Sequence, residues 1–321
     1  MRIRPVLPEE YPVYDDLARS YGSLFNRLDW LDIFKQQMKI LGLFDNGDNL
    51  VGGVSIYQER RWGLKIIRRA PFTPTCGPFL IVRARNPVAV LEERRKALEC
   101  MIAYLKLENP AVCMLPLDPH ISDTLPFFWN VFKVIPNFSF KLDLSYPYSK
   151  IEANMSAKCR GHILKARKDG LVVEKLSDYA IVRELVLKTF GRQEKYIHKT
   201  VLDAILYQYA RPGNSFAFAV FRDDVPIAAT FLVHDAKIAY LLLAGYDDAN
   251  KHHGAGALCV SEAIKHAGAI GLKTFDFEGS VIPQIETYFR SFGGQLVPYF
   301  TINKAWLPIE MGLKLIKRNI F

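Results

Sequence analysis

FAVFRDDVPIAATFLVHDAKIAYLLL, residues 218–243, reads as three consecutive strands of one sheet, with breaks at Asp223-Asp224 and at Asp235-Ala236. Branched, aromatic and small side chains fill the runs, and polar residues fill the breaks, which is the pattern of strands joined by tight turns. An earlier stretch has the same layout. LGLFDNGDNLVGGVSIYQERRWGLKII, residues 41–67, is a strand ending in Phe44 and a charged residue, then a polar turn with Asn46-Gly47, then a strand of small and branched residues. In each half a third extended segment, a long helix and a short strand follow. The matching order argues duplication of one α/β unit.

Working outward, SLFNRLDWLDIFKQQ (23–37) is expected to be helical, with Phe25, Leu28, Leu31 and Phe34 at helical spacing. APFTPTCGPF (70–79) cannot be an ordinary central strand, because its prolines lack ladder donors. Residues 87–107 form the clearest helix of the first half, and AVCMLPL (111–117) a buried strand. Pro147 and the small polar residues around it mark a boundary near residue 146, which gives two domains, 1–145 and 146–321. A basic helix is expected over 150–169, ended by Gly170. Two helices are expected over 177–189 and 199–209, another in GALCVSEAIKHAG (256–268), and a strand in LKTFDFEG (272–279). The tail WLPIEMGLKLIKRNIF (306–321) has the pattern of a basic amphipathic helix.

The chain has 321 residues, half of them apolar, enough for two substantial cores. Its net charge of +9 suits an anionic substrate or surface, and ordinary solubility charge accounts for it equally. Cys76, Cys100, Cys113, Cys159 and Cys259 are scattered without C-x-x-C spacing, as expected of reduced core thiols in a cytoplasmic protein. MRIRPVLPEEY lacks the apolar segment of a secretory leader, and no run approaches the ~20 apolar residues of a membrane span. Histidines and cysteines form no metal-ligand spacing, so no metal is expected. No nucleic-acid-binding signature occurs, so no stable nucleic-acid complex is expected.

Four stretches carry a family resemblance: FNRLDWLDIF (25–34), SAKCRGHILKARKDGLVVE (156–174), KHHGAGALCVSEAIKHAGAIGLKTFDFEGS (251–280) and ETYFRSFGGQLVPY (286–299). In order and spacing they resemble the GNAT acyltransferase superfamily, in its FemAB-like and BioF2-like branch. The resemblance implies tandem GNAT-like domains, each a twisted mixed sheet flanked by helices. It also implies transfer of an activated acyl group, from acyl-CoA as co-substrate, to an amine or nucleotide-linked acceptor. Two departures stand out. Peptidoglycan-bridge enzymes of this branch often carry a long helical hairpin, and residues 171–216 hold only short helices, which disfavours an aminoacyl-tRNA donor. The acyl-CoA motif opens on glutamine or arginine, and here Lys251 takes that place. Aminoacyl-tRNA-dependent modification of a cell-wall precursor and a non-catalytic binding protein on the same fold stay open as alternatives.

The candidate site follows from this chemistry. Gly254 and Gly256 mark a strand-to-helix turn where backbone N–H groups can close on a pyrophosphate, with Lys251 and His253 adding charge beside them. Simple turn formation explains the glycines as well. Asp276 and Glu278 alternate with Phe275 and Phe277, so a regular strand would put both acids on one face, ready to orient or deprotonate an amine. Pairing with Arg290 or Lys273 is the structural alternative. Tyr288 is a candidate proton donor, Arg290 a clamp for an anion, and Tyr246, Arg160 and Lys165 further substrate contacts. Lys314, Lys317 and Arg318 beside Leu315, Ile316 and Phe321 give the tail a peripheral contact with an anionic membrane, unless it packs on the domain.

Overall fold

The computed structural model describes residues 1–280 and 282–316. They divide into two compact units: residues 1–137 with 298–316, and the described residues of 138–297. Lys317, Arg318 and Phe321 of the tail lie outside the described residues.

Unit 1 opens with strand β1 (Arg2–Pro5), helix α1 (Tyr11–Tyr21) and the short helix α2 (Leu28–Leu31). The single helix expected over 23–37 is three short turns instead, because Lys35 adopts φ 43°, ψ −119° and Arg27 is extended. The apolar spacing still reports burial: Phe25, Trp30, Leu31 and Phe34 are all core residues. Trp30 anchors this segment, with edge-on rings from Phe25 at 5.1 Å and Phe34 at 6.4 Å and an indole N–H donated to Thr73 Oγ1 at 3.0 Å.

Strands β2 (Met38–Phe44), β3 (Leu50–Arg61) and β4 (Leu64–Arg68) form the meander read from the sequence. The turn between the first two is held by the Asp45 carboxylate, which accepts from the N–H groups of Gly47 and Asn49. The proline-rich segment makes only β5 (Phe79–Leu80) before α3 (Pro87–Glu108), β6 (Val112–Pro116), α4 (Leu125–Trp129) and β7 (Lys133–Asp143). β1 to β4 are antiparallel in chain order, and β6 runs parallel to β4. α3 makes the parallel crossover that this geometry demands, and its Met101 and Leu105 pack under Ile56, Ile67 and Leu115.

Unit 2 continues with α5 (Tyr148–Asn154), α6 (Ala157–Lys168), β8 (Val172–Lys175), α7 (Ala180–Arg192) and α8 (Lys199–Ala204). The expected basic helix over 150–169 is two helices. Met155 turns extended, and Ser156 caps the second by accepting from Cys159 N–H at 3.1 Å. Then come β9 (Ser215–Arg222), β10 (Val225–His234), β11 (Ile238–Tyr246), α9 (Ala255–Ala269), β12 (Thr274–Asp276) and α10 (Pro283–Arg290), and from residue 298 the chain is back in unit 1 with most of β13 (Gln295–Ala305) and α11 (Leu307–Ile316). β8 to β11 are antiparallel in chain order, β12 is parallel to β11, and β7 is antiparallel to β12. Within unit 1, residues 301–305 of β13 lie antiparallel to β6. Each unit therefore contains an antiparallel meander followed by a helical crossover to a parallel strand. Four of the five cysteines are buried, and burial, helped by the nearby Asp118 and Glu262 carboxylates respectively, pushes the Cys76 and Cys259 thiols up to about 12.

Replacing Trp30 with alanine is expected to cost about 3–5 kcal/mol of stability, the range for deleting a buried aromatic. Thr73→Val, which strands the indole N–H, is expected to cost about 1–3 kcal/mol. Urea unfolding of the two variants measures both.

Candidate active site

Strand β11 forms a fork with its parallel neighbour. The β11–β12 ladder holds for three residues, Ile238 with Thr274, Ala239 with Phe275 and Tyr240 with Asp276, and then stops. From Leu241 to Tyr246 this edge of β11 has no strand partner among the described residues. On its other edge β11 stays paired to β10, with a bulge at Leu242: Leu241 faces Leu232 and Leu243 faces Phe231. A bulge re-aims backbone groups and is often found beside active sites. The result is an edge of β11 inside unit 2 that lacks a strand partner, closed at its far end by Thr189, whose hydroxyl accepts the Tyr246 N–H at 2.8 Å.

The reason the strands part lies in Asp276. Its buried carboxylate accepts from Ser139 Oγ at 2.5 Å and from the Glu278 N–H at 2.9 Å, and Lys141 Nζ stands 3.0 Å from its other oxygen. Accepting from its own chain two residues on turns the backbone out of the strand, and Glu278 takes the left-handed conformation at φ 58°. Gly279 follows at φ 67°, against the Phe138 carbonyl, where a Cβ would overlap. The expected alternation of two acids on one strand face is therefore corrected. β12 ends at Asp276, the rings of Phe275 and Phe277 sit 4.9 Å apart in one core, and Glu278 projects beyond the strand end. Asp276 pairs with Lys141, a partner absent from the sequence reading.

Past the end of β11 the chain reaches α9 through a loop locked by Tyr246 and His252. The Tyr246 hydroxyl donates to the His252 carbonyl at 2.8 Å and accepts its N–H at 2.9 Å. The His252 ring accepts the Gly254 N–H on Nδ1 at 3.0 Å, so its Nε2–H is the donor to Asp169 at 2.9 Å. That bond, with Lys165 and Arg222 nearby, holds the Asp169 carboxyl below its ordinary range. Gly254 is a glycine for packing: a Cβ would overlap the His162 carbonyl of α6. Gly256, the second residue of α9, instead faces the Tyr288 hydroxyl, which would lie 3.3 Å from a Cβ there. Tyr288 is half-buried near Cys259, Cys159 and Tyr246, and burial raises its hydroxyl well above the usual tyrosine value.

The sequence candidates thus separate. Tyr246, Gly254, Gly256 and Tyr288 gather around the start of α9, with exposed His253 and Lys251 on the loop. Lys251 lies 4.0 Å from Asp248, and Lys165 3.7 Å from Asp169. Arg160 donates to the Ala153 and Met155 carbonyls, holding the end of α5, and Arg290 pairs with Glu286 on its own helix at 2.9 Å. Sequence reasoning missed the Asp169–His252 pair, the Leu242 bulge and His162, whose imidazole is pushed down by burial and by Lys158. The Asp169-Gly170 helix end and the His252-His253 doublet were visible, but their contact spans 83 residues.

Unit 2 is thus four antiparallel strands, a parallel fifth that forks from the fourth, and a helix starting at the fork. The fold is that of the GNAT acetyltransferases. A family model described as an acetyltransferase (GNAT) domain matches residues 158–290. Among solved structures, FemX is similar with a TM-score of 0.67 at 12% identity, over 98% of this chain and 100% of that one. The C-terminal domain of a putative lysylphosphatidylglycerol synthetase from Agrobacterium fabrum is similar with a TM-score of 0.62 at 12% identity, over 95% of each chain. L-PGS from Bacillus licheniformis is similar with a TM-score of 0.56 at 10% identity, over 99% of this chain and 98% of that one. No curated protein matches the sequence.

The two glycines predict different outcomes without any ligand. Gly254→Ala forces a methyl group into the α6 backbone and is expected to cost about 1–3 kcal/mol. Gly256→Ala meets only a side-chain hydroxyl and is expected to cost less than about 1 kcal/mol. Thermal unfolding of both variants tests the difference.

Proposed function

We propose that this chain is an acyltransferase that moves an aminoacyl-type group from an ester-activated donor, of the aminoacyl-tRNA kind, onto an amine- or hydroxyl-bearing acceptor. One observation carries the choice of donor: the Gly254 N–H, which a coenzyme A pyrophosphate would need, is already taken by His252, and the glycine's open side is filled by α6. The basic groups nearby are dispersed rather than focused. Arg222 and Lys165 stand near Asp169, and Arg192 pairs with Asp248 at 2.8 Å. A dispersed basic rim suits a long polyanion better than one compact pyrophosphate. The likeness to FemX and to a putative lysylphosphatidylglycerol synthetase supports this reading over acyl-CoA, and supports a FemAB-like branch built of two copies of one α/β unit.

In this mechanism the acceptor attacks the ester carbonyl while the free edge of β11 steadies the developing oxyanion through backbone N–H groups. The carbon–oxygen bond to the donor breaks, and Tyr288 gives its proton to the departing oxygen. Glu278, at the mouth of the fork, takes the proton lost by the acceptor. A neutral Tyr288 is required, and burial favours that form. Because its pKa is raised, the proton stays in place as pH climbs through the ordinary tyrosine range.

The test supplies purified protein with a radiolabelled aminoacyl-tRNA mixture or with labelled acetyl-CoA, together with cell-wall precursors, phosphatidylglycerol and simple amines. Transfer of label from tRNA to one of these acceptors is expected, with Tyr288→Phe slowing kcat by about 10²-fold and the wild-type rate holding through pH 9. Consumption of acetyl-CoA alone would return the donor to coenzyme A. Consumption of neither would leave the non-catalytic reading.

A further inference from the structure

The chain has four tryptophans, and only Trp30 is buried. Trp62 is 95% exposed, Trp129 59% and Trp306 43%, and all three belong to unit 1. Their neighbourhoods are joined. Trp62 tips the β3–β4 hairpin, and two residues on from Gly63 Lys65 pairs with Glu108 in the last turn of α3 at 2.6 Å. That turn also presents Leu107, 83% exposed. Trp306 donates its backbone N–H to the Ala111 carbonyl at 3.0 Å and its indole N–H to Asn109 Oδ1 at 3.3 Å, just past the same turn. Asn130, between Trp129 and exposed Val131, accepts Lys106 Nζ at 2.6 Å and Lys304 Nζ at 3.1 Å. These contacts make one band of surface.

Single exposed apolar residues are ordinary, but a connected band of indoles and aliphatic side chains is not. Its charge is also one-sided. The acids Glu59, Glu108 and Glu310 are all ion-paired, whereas Arg60, Lys106 and Lys304 have no carboxylate partner among the described residues. Indoles settle at the boundary between lipid headgroups and acyl chains, and unpaired cations are drawn to anionic headgroups. Single-stranded nucleic acid would also use exposed indoles and cations, but by stacking on aromatic faces. Leu107, Val131 and Leu307 offer none, and gain by leaving water for hydrocarbon. Among the described residues no helix is long and apolar enough to cross a membrane, so contact would be interfacial.

We propose that this band of unit 1, centred on Trp62, Leu107 and Trp306, docks the protein onto the surface of an anionic lipid bilayer. It does not depend on the acyl-transfer reading, because binding is measured without turnover. The full chain is sedimented with vesicles of phosphatidylcholine alone or with about one-third phosphatidylglycerol, while tryptophan emission is followed. Partition roughly tenfold stronger onto the anionic vesicles, with a blue shift, is expected. A Trp62→Ser, Leu107→Ser double variant and an Arg60→Glu, Lys106→Glu double variant should each lose most of it while keeping the wild-type circular dichroism. Equal partition of wild type and both folded variants would overturn the proposal. So would absence of vesicle binding, including the case in which the band instead retains tRNA in a variant-sensitive way.

Discussion

A buried carboxylate organises the candidate site. Asp276 is out of water at the end of β12, where an unpaired charge would be costly. It is tolerated because Ser139, Lys141 and the Glu278 N–H all turn to it. The last of these bonds requires the chain to curl back, which ends the strand and leaves one edge of β11 without a strand partner beyond Tyr240 among the described residues. The open edge is thus a consequence of satisfying one buried charge. Its placement next to the start of α9 follows from the chain order of strand, loop and helix.

The same economy explains the loop before α9. A helix start offers unsatisfied N–H groups and partial positive charge, and would attract any anion. Here His252 occupies one of those donors and passes its other nitrogen to Asp169, so the turn is stiffened by its own side chains. Open space lies two residues further in, at Gly256, beside the hydroxyl of Tyr288. The glycine pair therefore divides its work. Gly254 lets two helices approach, and Gly256 keeps space open before the Tyr288 hydroxyl.

The strand meanders, the turn at Asn46-Gly47, the crossover helices and the buried strand at 112–116 were legible from composition and periodicity, since local preference and tertiary packing agree there. Tyr288 and Gly256 were named from sequence as site candidates, and the structure brings the two side by side at the start of α9. The segment 23–37 was legible in its burial but not in its backbone: apolar spacing fits a helix, while Lys35 and Arg27 take conformations that only the surrounding packing enforces. The strand read through 272–279 failed for a related reason. Alternating residues predict a strand only as long as no side chain outbids the ladder, and Asp276 does so through partners more than a hundred residues away.

By itself, then, the sequence determined the order of strands and helices, which residues are apolar enough to be buried, and the presence of a glycine-marked helix start with a tyrosine downstream. These depend on neighbours a few residues apart. Only the tertiary structure decided that β12 stops at Asp276, that His252 rather than a ligand meets Gly254, that Arg160 and Arg290 serve their own helices, and that residues 298–316 pack with the first unit. Each depends on where groups distant in sequence come to lie. A buried charge or a backbone N–H takes whichever partner the fold brings within about 3 Å, and no local pattern records which one that will be.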